Sequence, residues 1–379
     1  MSKEFVTRLK SNAIFQMSLT SKELFHSNFL AWLSDSVNTR DVFATVLKEC
    51  FGMTDWNPEG MYVKREHNHF DFSICRKDGN KEQTLFVLEN KFKSVAYKEQ
   101  LNKYFAESED SRHVLLTLAR DFLEKDVMMK SGWKVVTYHD YIQVLRKAAS
   151  NMDESFDKQV ILHYCDFVEN FDEAINHKLA AANNKNTIWK VLEDEDFIEL
   201  RCNDIWQKLF MHQCAQKLSA LVKEAFPDKN VKHYDPDTWT KEQKDDIFVR
   251  VAYYHSQALV EIRCLLPTGV KFCVQQQGDS PLSVGIAIKN SDIDKSIAKN
   301  AKKADKEKWS KALKAKVSQY NLDKLMPQNK KNSYNSFQAV GKEGYFYAHV
   351  DHNVESIDGT LNQMIELTKE AIKLSHKQE

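Results

Sequence analysis

The run Leu85-Phe86-Val87-Leu88 passes without a turn into Glu89-Asn90-Lys91, so a segment suited to burial ends in two opposite charges. Four consecutive branched or aromatic residues read as a buried β-strand. Side chains alternate along a strand, which places Glu89 and Lys91 on one face and Asn90 on the other. Upstream, Asp71-Phe72-Ser73-Ile74 reads as a second strand, and RKDGNKEQT as the turn between them. Asp71 lies nine residues before Asn80 and Glu89 nine residues after it. A hairpin folded about Asn80 therefore sets the two carboxylates directly opposite, with Cβ atoms roughly 5 Å apart. Two carboxylates at that distance repel unless a cation lies between them, and a hard divalent ion with oxygen ligands suits the gap. Magnesium is the natural choice.

The whole chain bounds what such a hairpin can belong to. Its 379 residues, 42% hydrophobic and 11% aromatic, can bury a large core, and the length is a prior for two domains. No run of eighteen apolar residues occurs, and MSKEFVTRLKSNAIFQ alternates charged with apolar residues, unlike a secretion signal. The expectation is a cytoplasmic protein with no membrane contact. Seven cysteines, none in a Cys-x-x-Cys pair, argue against a disulfide framework and a zinc knuckle and read as reduced core thiols. Net charge is zero, so an anionic partner must be held by local patches. One patch stands out: 289–331 carries 13 lysines against five acids.

Residues 21–34 place Leu24, Phe25, Phe29, Trp32 and Leu33 on a helical stripe behind Ser21 as N-cap, and a second helix is expected at 41–51. Strands are expected over MYVKREHNHFDFSI, LFVLENKF, 113–118 and 133–138, with helices at 96–108 and 140–149. Helices beside a mixed sheet make an α/β unit. After residue 151 long helical segments follow, broken by the polar stretch 176–187, which reads as a linker or an exposed turn. Beyond it DIFVRVAYY, ALVEIRCLL, VKFCVQQQ and LSVGIAI read as successive antiparallel strands, followed by a basic helix at 291–320, a strand pair and a closing helix at 361–375. The expected domains are 1–180 and 188–379, the second an α+β domain with an antiparallel sheet. Its role is open.

The order Asp71, seventeen residues, Glu89-x-Lys91 resembles the PD-(D/E)XK nuclease superfamily, although His69 and Phe70 stand where the proline of the motif would precede Asp71. The helix ELFHSNFLAWL, the segment REHNHFDFSI and Gln100-x3-Tyr104 extend the resemblance over roughly residues 20–145, toward a bacterial branch that opens with a Glu-x-x-His-Ser helix. It implies a restriction-endonuclease-like core and hydrolysis of phosphodiester bonds with Mg2+ or Mn2+, DNA being the favoured substrate. By carry-over, Asp71 and Glu89 hold the metal and Glu23 completes its shell directly or through water. Lys91 stabilises charge at the phosphate or the attacking water. Gln100 orients substrate or Lys91, and Tyr104 supports that face as a nucleic-acid contact. Glu66 matches an acidic position before the Asp71 strand, with a functional and a merely exposed role equally open.

Blander readings compete at several places. His26 and Ser27 suit packing within the first helix better than catalysis. His349-Val350-Asp351-His352 reads as an ordinary turn before it reads as a metal site. Lysines 302, 303, 306 and 308 are candidate phosphate contacts, yet lysines on an amphipathic helix most often form a solvated face. The leading expectation is a magnesium-dependent nuclease in phage defence, restriction or repair. The rival is a catalytically silent nuclease fold that binds nucleic acid or protein. A homodimer and a defence-system partner are compatible with both.

Overall fold

The computed structural model describes residues 3–12, 14–15, 22–79, 81–96, 98–123, 125–182, 188–233, 244–254, 257–266, 271–278, 282–289, 336–340, 343–350 and 356–376. The chain divides into two compact units, Met1–Ala181 with Asp194–Leu209 and Ala182–Glu193 with Phe210–Glu379. The basic segment with Lys302, Lys303, Lys306 and Lys308 lies outside the described residues, as do Ser21, Asp351 and His352.

The first unit opens with α1 (Lys3–Ser11) and α2 (Lys22–Asp35), then α3 (Arg40–Thr45), which runs on as a π-helical stretch, Val46–Phe51. Its sheet has the order β1 (Met61–His67), β2 (Phe70–Asp78), β3 (Lys81–Lys91), β4 (Arg112–Thr117), β5 (Trp133–Thr137). The first three strands pair antiparallel and the last three parallel. The parallel strands are joined by α4 (Lys98–Glu107) and α5 (Lys125–Lys130), and two right-handed crossovers lie on the same face of a sheet. The other face is covered by aromatic contacts, Phe43 with Phe72 and Phe51 with Phe86, and by α6 (Tyr138–Ser150) and α7 (Phe156–Ala181). The result is a mixed sheet between helices, the α/β class expected from the sequence.

Helix α7 is longer than its polar end suggested. Residues 176–181, read as part of a linker or an exposed turn, are helical, because Ile175 is buried and Lys178 bonds Asp194 and Asp196. The segment Asp194–Leu209 joins the first unit for the same reason and through Phe197, which stacks on Trp206 and meets Phe171 edge-on.

The hairpin β2–β3 has two registers. Asp78 pairs with Lys81 across a two-residue connection in which Gly79 takes a φ of 60°, a conformation that costs glycine nothing. From there to Cys75↔Thr84 the ladder is regular. Ile74 then pairs with Phe86, so Leu85 is an extra residue, a β-bulge. Beyond it the pairs Ser73↔Val87 and Phe72↔Leu88 follow, and the ladder ends there, its phase pointing to Asp71 and Glu89 one step further. An unbroken ladder from the turn would set Asp71 opposite Leu88 and send Glu89 to the other face.

The second unit holds a seven-stranded sheet of order β11 (Ser336–Val340), β12 (Glu343–His349), β10 (Ser283–Lys289), β9 (Lys271–Gln277), β8 (Gln257–Leu265), β7 (Asp246–Tyr254), β6 (Asn230–Lys232). All neighbours are antiparallel except β6–β7. Val249, Ile262, Val274 and Val284 make one buried row across four strands. The residues one step along, Arg250, Glu261, Gln275, Ser283 and His349, make a polar row on the opposite face. Among the described residues the unit also has the short helix Ile188–Leu192, α8 (Asn203–Ala225), which begins in the first unit and continues here from Phe210, and α9 (Ile357–His376). All seven cysteines are buried and free, and burial pushes the thiols of Cys202, Cys214 and Cys264 up to about 12.

Candidate active site

The end of β3 gathers Asp71, Glu89, Lys91 and Gln100. Glu89 and Lys91 share a face by strand alternation, and the bulge at Leu85 brings Asp71 onto it. The Lys91 ammonium lies 2.7 Å from Glu89 Oε1, with the two side chains 10% and 2% exposed. Gln100, in the first turn of α4, donates one Nε2 hydrogen to the same oxygen at 2.8 Å and the other to the Tyr104 hydroxyl at 3.0 Å. The spacing of four residues puts Gln100 and Tyr104 on one helical face, so the tyrosine holds the amide and the amide holds the carboxylate. Asp71 is fixed differently. Its Oδ2 accepts the Asn90 backbone N–H at 2.7 Å.

Tyr104 is buried, and its ring meets Phe70 edge-on at 5.6 Å. Its hydroxyl props the Gln100 amide. Burial raises the pKa of its hydroxyl, and the Glu89 and Asp71 charges push the same way against the lowering effect of the Gln100 bond. Glu66 is exposed, with a positive φ of 48°, on β1 beside the Asp71 end of β2. Glu23 belongs to α2, but its side chain lies outside the described residues. His26 and Ser27 are buried, as packing residues are. In the second unit His349 Nδ1 lies 3.0 Å from Ser283 Oγ, a partner that a strand register supplies without a metal.

Among the described residues no three His, Cys, Asp or Glu side chains gather as a metal cage. Two carboxylates on one face are nonetheless what magnesium asks of a protein, since it keeps several waters and takes further oxygens from a substrate phosphate. Two acids beside a single lysine also leave the face one negative charge in excess. The donor set thus fits a hard divalent cation.

A family model for the PD-(D/E)XK nuclease superfamily matches residues 12–166. Over those residues the chain is similar to that superfamily. Searches of curated proteins and of solved structures gave no significant match. The PD-(D/E)XK match spans α2, the hairpin carrying Asp71 and Glu89, and the helix carrying Gln100. Members of the superfamily are as a rule hydrolytic nucleases that use divalent metal ions. No described helix of the chain is long and apolar enough to cross a membrane.

Sequence reasoning missed two residues of this site, Asn90 and Tyr138. Asn90 is fully buried among the residues of β3 that face α6 and α7, and its side-chain oxygen accepts from the Tyr138 hydroxyl. The signal was present: an amide in phase with Phe86 and Leu88 is a buried polar group, and such a group needs a partner. Tyr138 is set at the start of α6 by Thr137, whose Oγ1 caps the helix by accepting the Asp140 N–H at 3.0 Å.

Proposed function

We propose that the chain is a metal-dependent nuclease that hydrolyses phosphodiester bonds of nucleic acid, with DNA the favoured substrate and magnesium or manganese the working ion. The observation that carries the reading is the convergence of Asp71, Glu89, Lys91 and Gln100 at the end of β3, with Lys91 and Gln100 on Glu89 at 2.7–2.8 Å and Asp71 held by the Asn90 N–H at 2.7 Å. Asp71 and Glu89 would hold the ion, with Glu23 a further oxygen donor. A bound divalent ion supplies a water ionised at neutral pH and offsets charge on the phosphate. The chain's own part is positional and electrostatic. Gln100 and Lys91 keep Glu89 in one rotamer, and the Asn90 N–H keeps Asp71 in another. Lys91, with its ammonium on the same face, stabilises negative charge as it grows on the non-bridging oxygens or on the attacking water. Lys302, Lys303, Lys306 and Lys308 would hold the backbone of the substrate by counterion release. Phage defence, restriction or repair is the setting such an activity suits.

The test is incubation of the full chain with single- and double-stranded DNA and RNA, with magnesium, manganese or chelator. Cleavage that needs the metal and disappears in Lys91→Ala supports the reading. Tight binding with no cleavage under any metal would replace it by the silent binding module.

A further inference from the structure

Behind the motif strand, on the face away from Glu89 and Lys91, three aromatic side chains and one amide form a continuous hydrogen-bond chain. His26 Nδ1 lies 2.8 Å from the Tyr164 hydroxyl. Tyr164 is hydrogen-bonded to Tyr138, and the Tyr138 hydroxyl donates to Asn90 Oδ1. All four residues are at most 1% exposed. An amide oxygen can only accept, so Tyr138 gives its single hydrogen to Asn90. His26 Nε2 has no hydrogen-bond partner among the described residues. Burial, and after it the Lys93 charge, holds the His26 pKa well below its ordinary value, in keeping with a neutral ring.

The chain leads somewhere. Asn90 is its terminus and is also the residue whose backbone N–H holds Asp71 Oδ2 at 2.7 Å. Fixing the Asn90 side chain from behind limits rotation of its peptide, and that peptide aims the carboxylate. The four residues come from α2, β3, α6 and α7, so helices from three parts of the sequence converge on one peptide of the motif strand. From this geometry we infer that Tyr138 and Tyr164 are positioning residues: through Asn90 they preorganise Asp71 for the metal, without touching metal or substrate. The inference rests on the nuclease reading above.

A matched control lies one residue-turn away. Tyr141 is fully buried, stacks on Phe51 at 5.8 Å and has a hydroxyl without a hydrogen-bond partner among the described residues. Tyr138→Phe and Tyr141→Phe each remove one buried hydroxyl and keep the ring. Only the first breaks the chain.

The experiment measures, for the full chain and for Tyr138→Phe, Tyr164→Phe and Tyr141→Phe, kcat, KM and the magnesium concentration giving half-maximal rate. It also measures the magnesium concentration giving half the thermal stabilisation, in the Lys91→Ala background where cleavage is absent. Tyr138→Phe is expected to lower kcat about tenfold, the worth of one buried hydrogen bond, with KM unchanged. Both magnesium midpoints should rise several-fold. Tyr164→Phe should act in the same direction and add little to Tyr138→Phe in the double variant, as members of one network do. Tyr141→Phe should match the parent in every column. A Tyr138→Phe protein that melts lower yet keeps the parent's kcat and both midpoints overturns the positioning role and leaves the nuclease reading standing. A parent with neither cleavage nor magnesium stabilisation overturns both together. Should Tyr138→Phe fail to fold, Tyr164→Phe decides by the same criteria.

Discussion

Each unit buries a glutamate in its sheet, and the two are held in opposite ways. Glu89 stands at the end of β3 with Asp71 beside it, one lysine at 2.7 Å and one amide at 2.8 Å. Glu261 stands in the middle of β8, fully buried, with Arg250 Nε at 2.7 Å and Arg263 Nε at 2.8 Å from the same oxygen. The first cluster has two acids for one base, the second two bases for one acid. A carboxylate costs several kcal/mol to bury, and either arrangement can compensate it. They differ in what they can still accept. The acid-rich cluster, at a strand end and beside partly exposed Gln100 and Asp71, is suited to a cation from outside. The arginine-flanked one, in mid-strand, is already supplied with positive charge and reads as a structural network.

The widest separation between the two should come from Glu89→Gln. Cleavage should fall about a thousandfold or more, as happens when charge stabilisation at a reacting centre is removed. Metal-free stability should not fall, because Asp71 stays on the face to balance Lys91. Melting curves with and without magnesium, run beside a cleavage assay, check this. A variant that cleaves like the parent, or that unfolds earlier without metal, would make Glu89 another Glu261.

Glu261→Gln is the converse case. Two guanidinium groups lose their carboxylate inside the sheet, and stability should drop by about 3–5 kcal/mol. Cleavage per folded molecule should be unchanged. Urea unfolding followed in parallel with activity reads both, and a drop in activity at full folding would give the second sheet a part in the reaction.

Acid tests burial without mutation. The His212 imidazole is buried and its pKa is lowered from 6.5 to about 4. A histidine depressed in the folded state stabilises fully above the unfolded value and less as pH falls, so on the order of 3 kcal/mol should be lost between pH 6.5 and 4. His212→Leu should flatten that slope in equilibrium unfolding.

Gln100→Ala removes a hydrogen bond to a charged group and should reduce kcat by roughly ten- to a hundredfold at unchanged stability. The smallest effect is expected from neutralising Lys302, Lys303, Lys306 and Lys308 together. Binding should weaken and its log-log salt slope should flatten by roughly one unit per lost phosphate contact. An unaltered slope would return those lysines to a solvated face.

Much of the site was legible because strand alternation and helical spacing are short-range. Glu89 and Lys91 had to share a face, and so did Gln100 and Tyr104. The pairing of Asp71 with Glu89 was legible only by symmetry about Asn80. The hairpin comes into that phase by a two-residue turn and a bulge, and nothing in Leu85 itself announces an unpaired residue. Residues 176–181 were misleading because their helix is held by Asp194 and Asp196, more than a dozen residues on. The polar row through Glu261 was hidden by a similar cause: charged residues alternating with apolar ones on a strand read as solvent-facing, and only the register shows them stacked strand to strand.

The single extra residue at Leu85 also bears on how such motifs are counted. Directly opposed residues across a two-residue turn are always an odd number of positions apart, whereas Asp71 and Glu89 are 18 apart. An even interval demands an odd number of bulges, so interval parity and bulge count are one datum seen twice. A search pattern with a rigid gap between the two acids would discard chains that differ only in a bulge. Conversely, a loop inserted between Gly79 and Asn80 changes the tip without changing the phase at the base, which makes that connection the natural place to attach a label or a second protein.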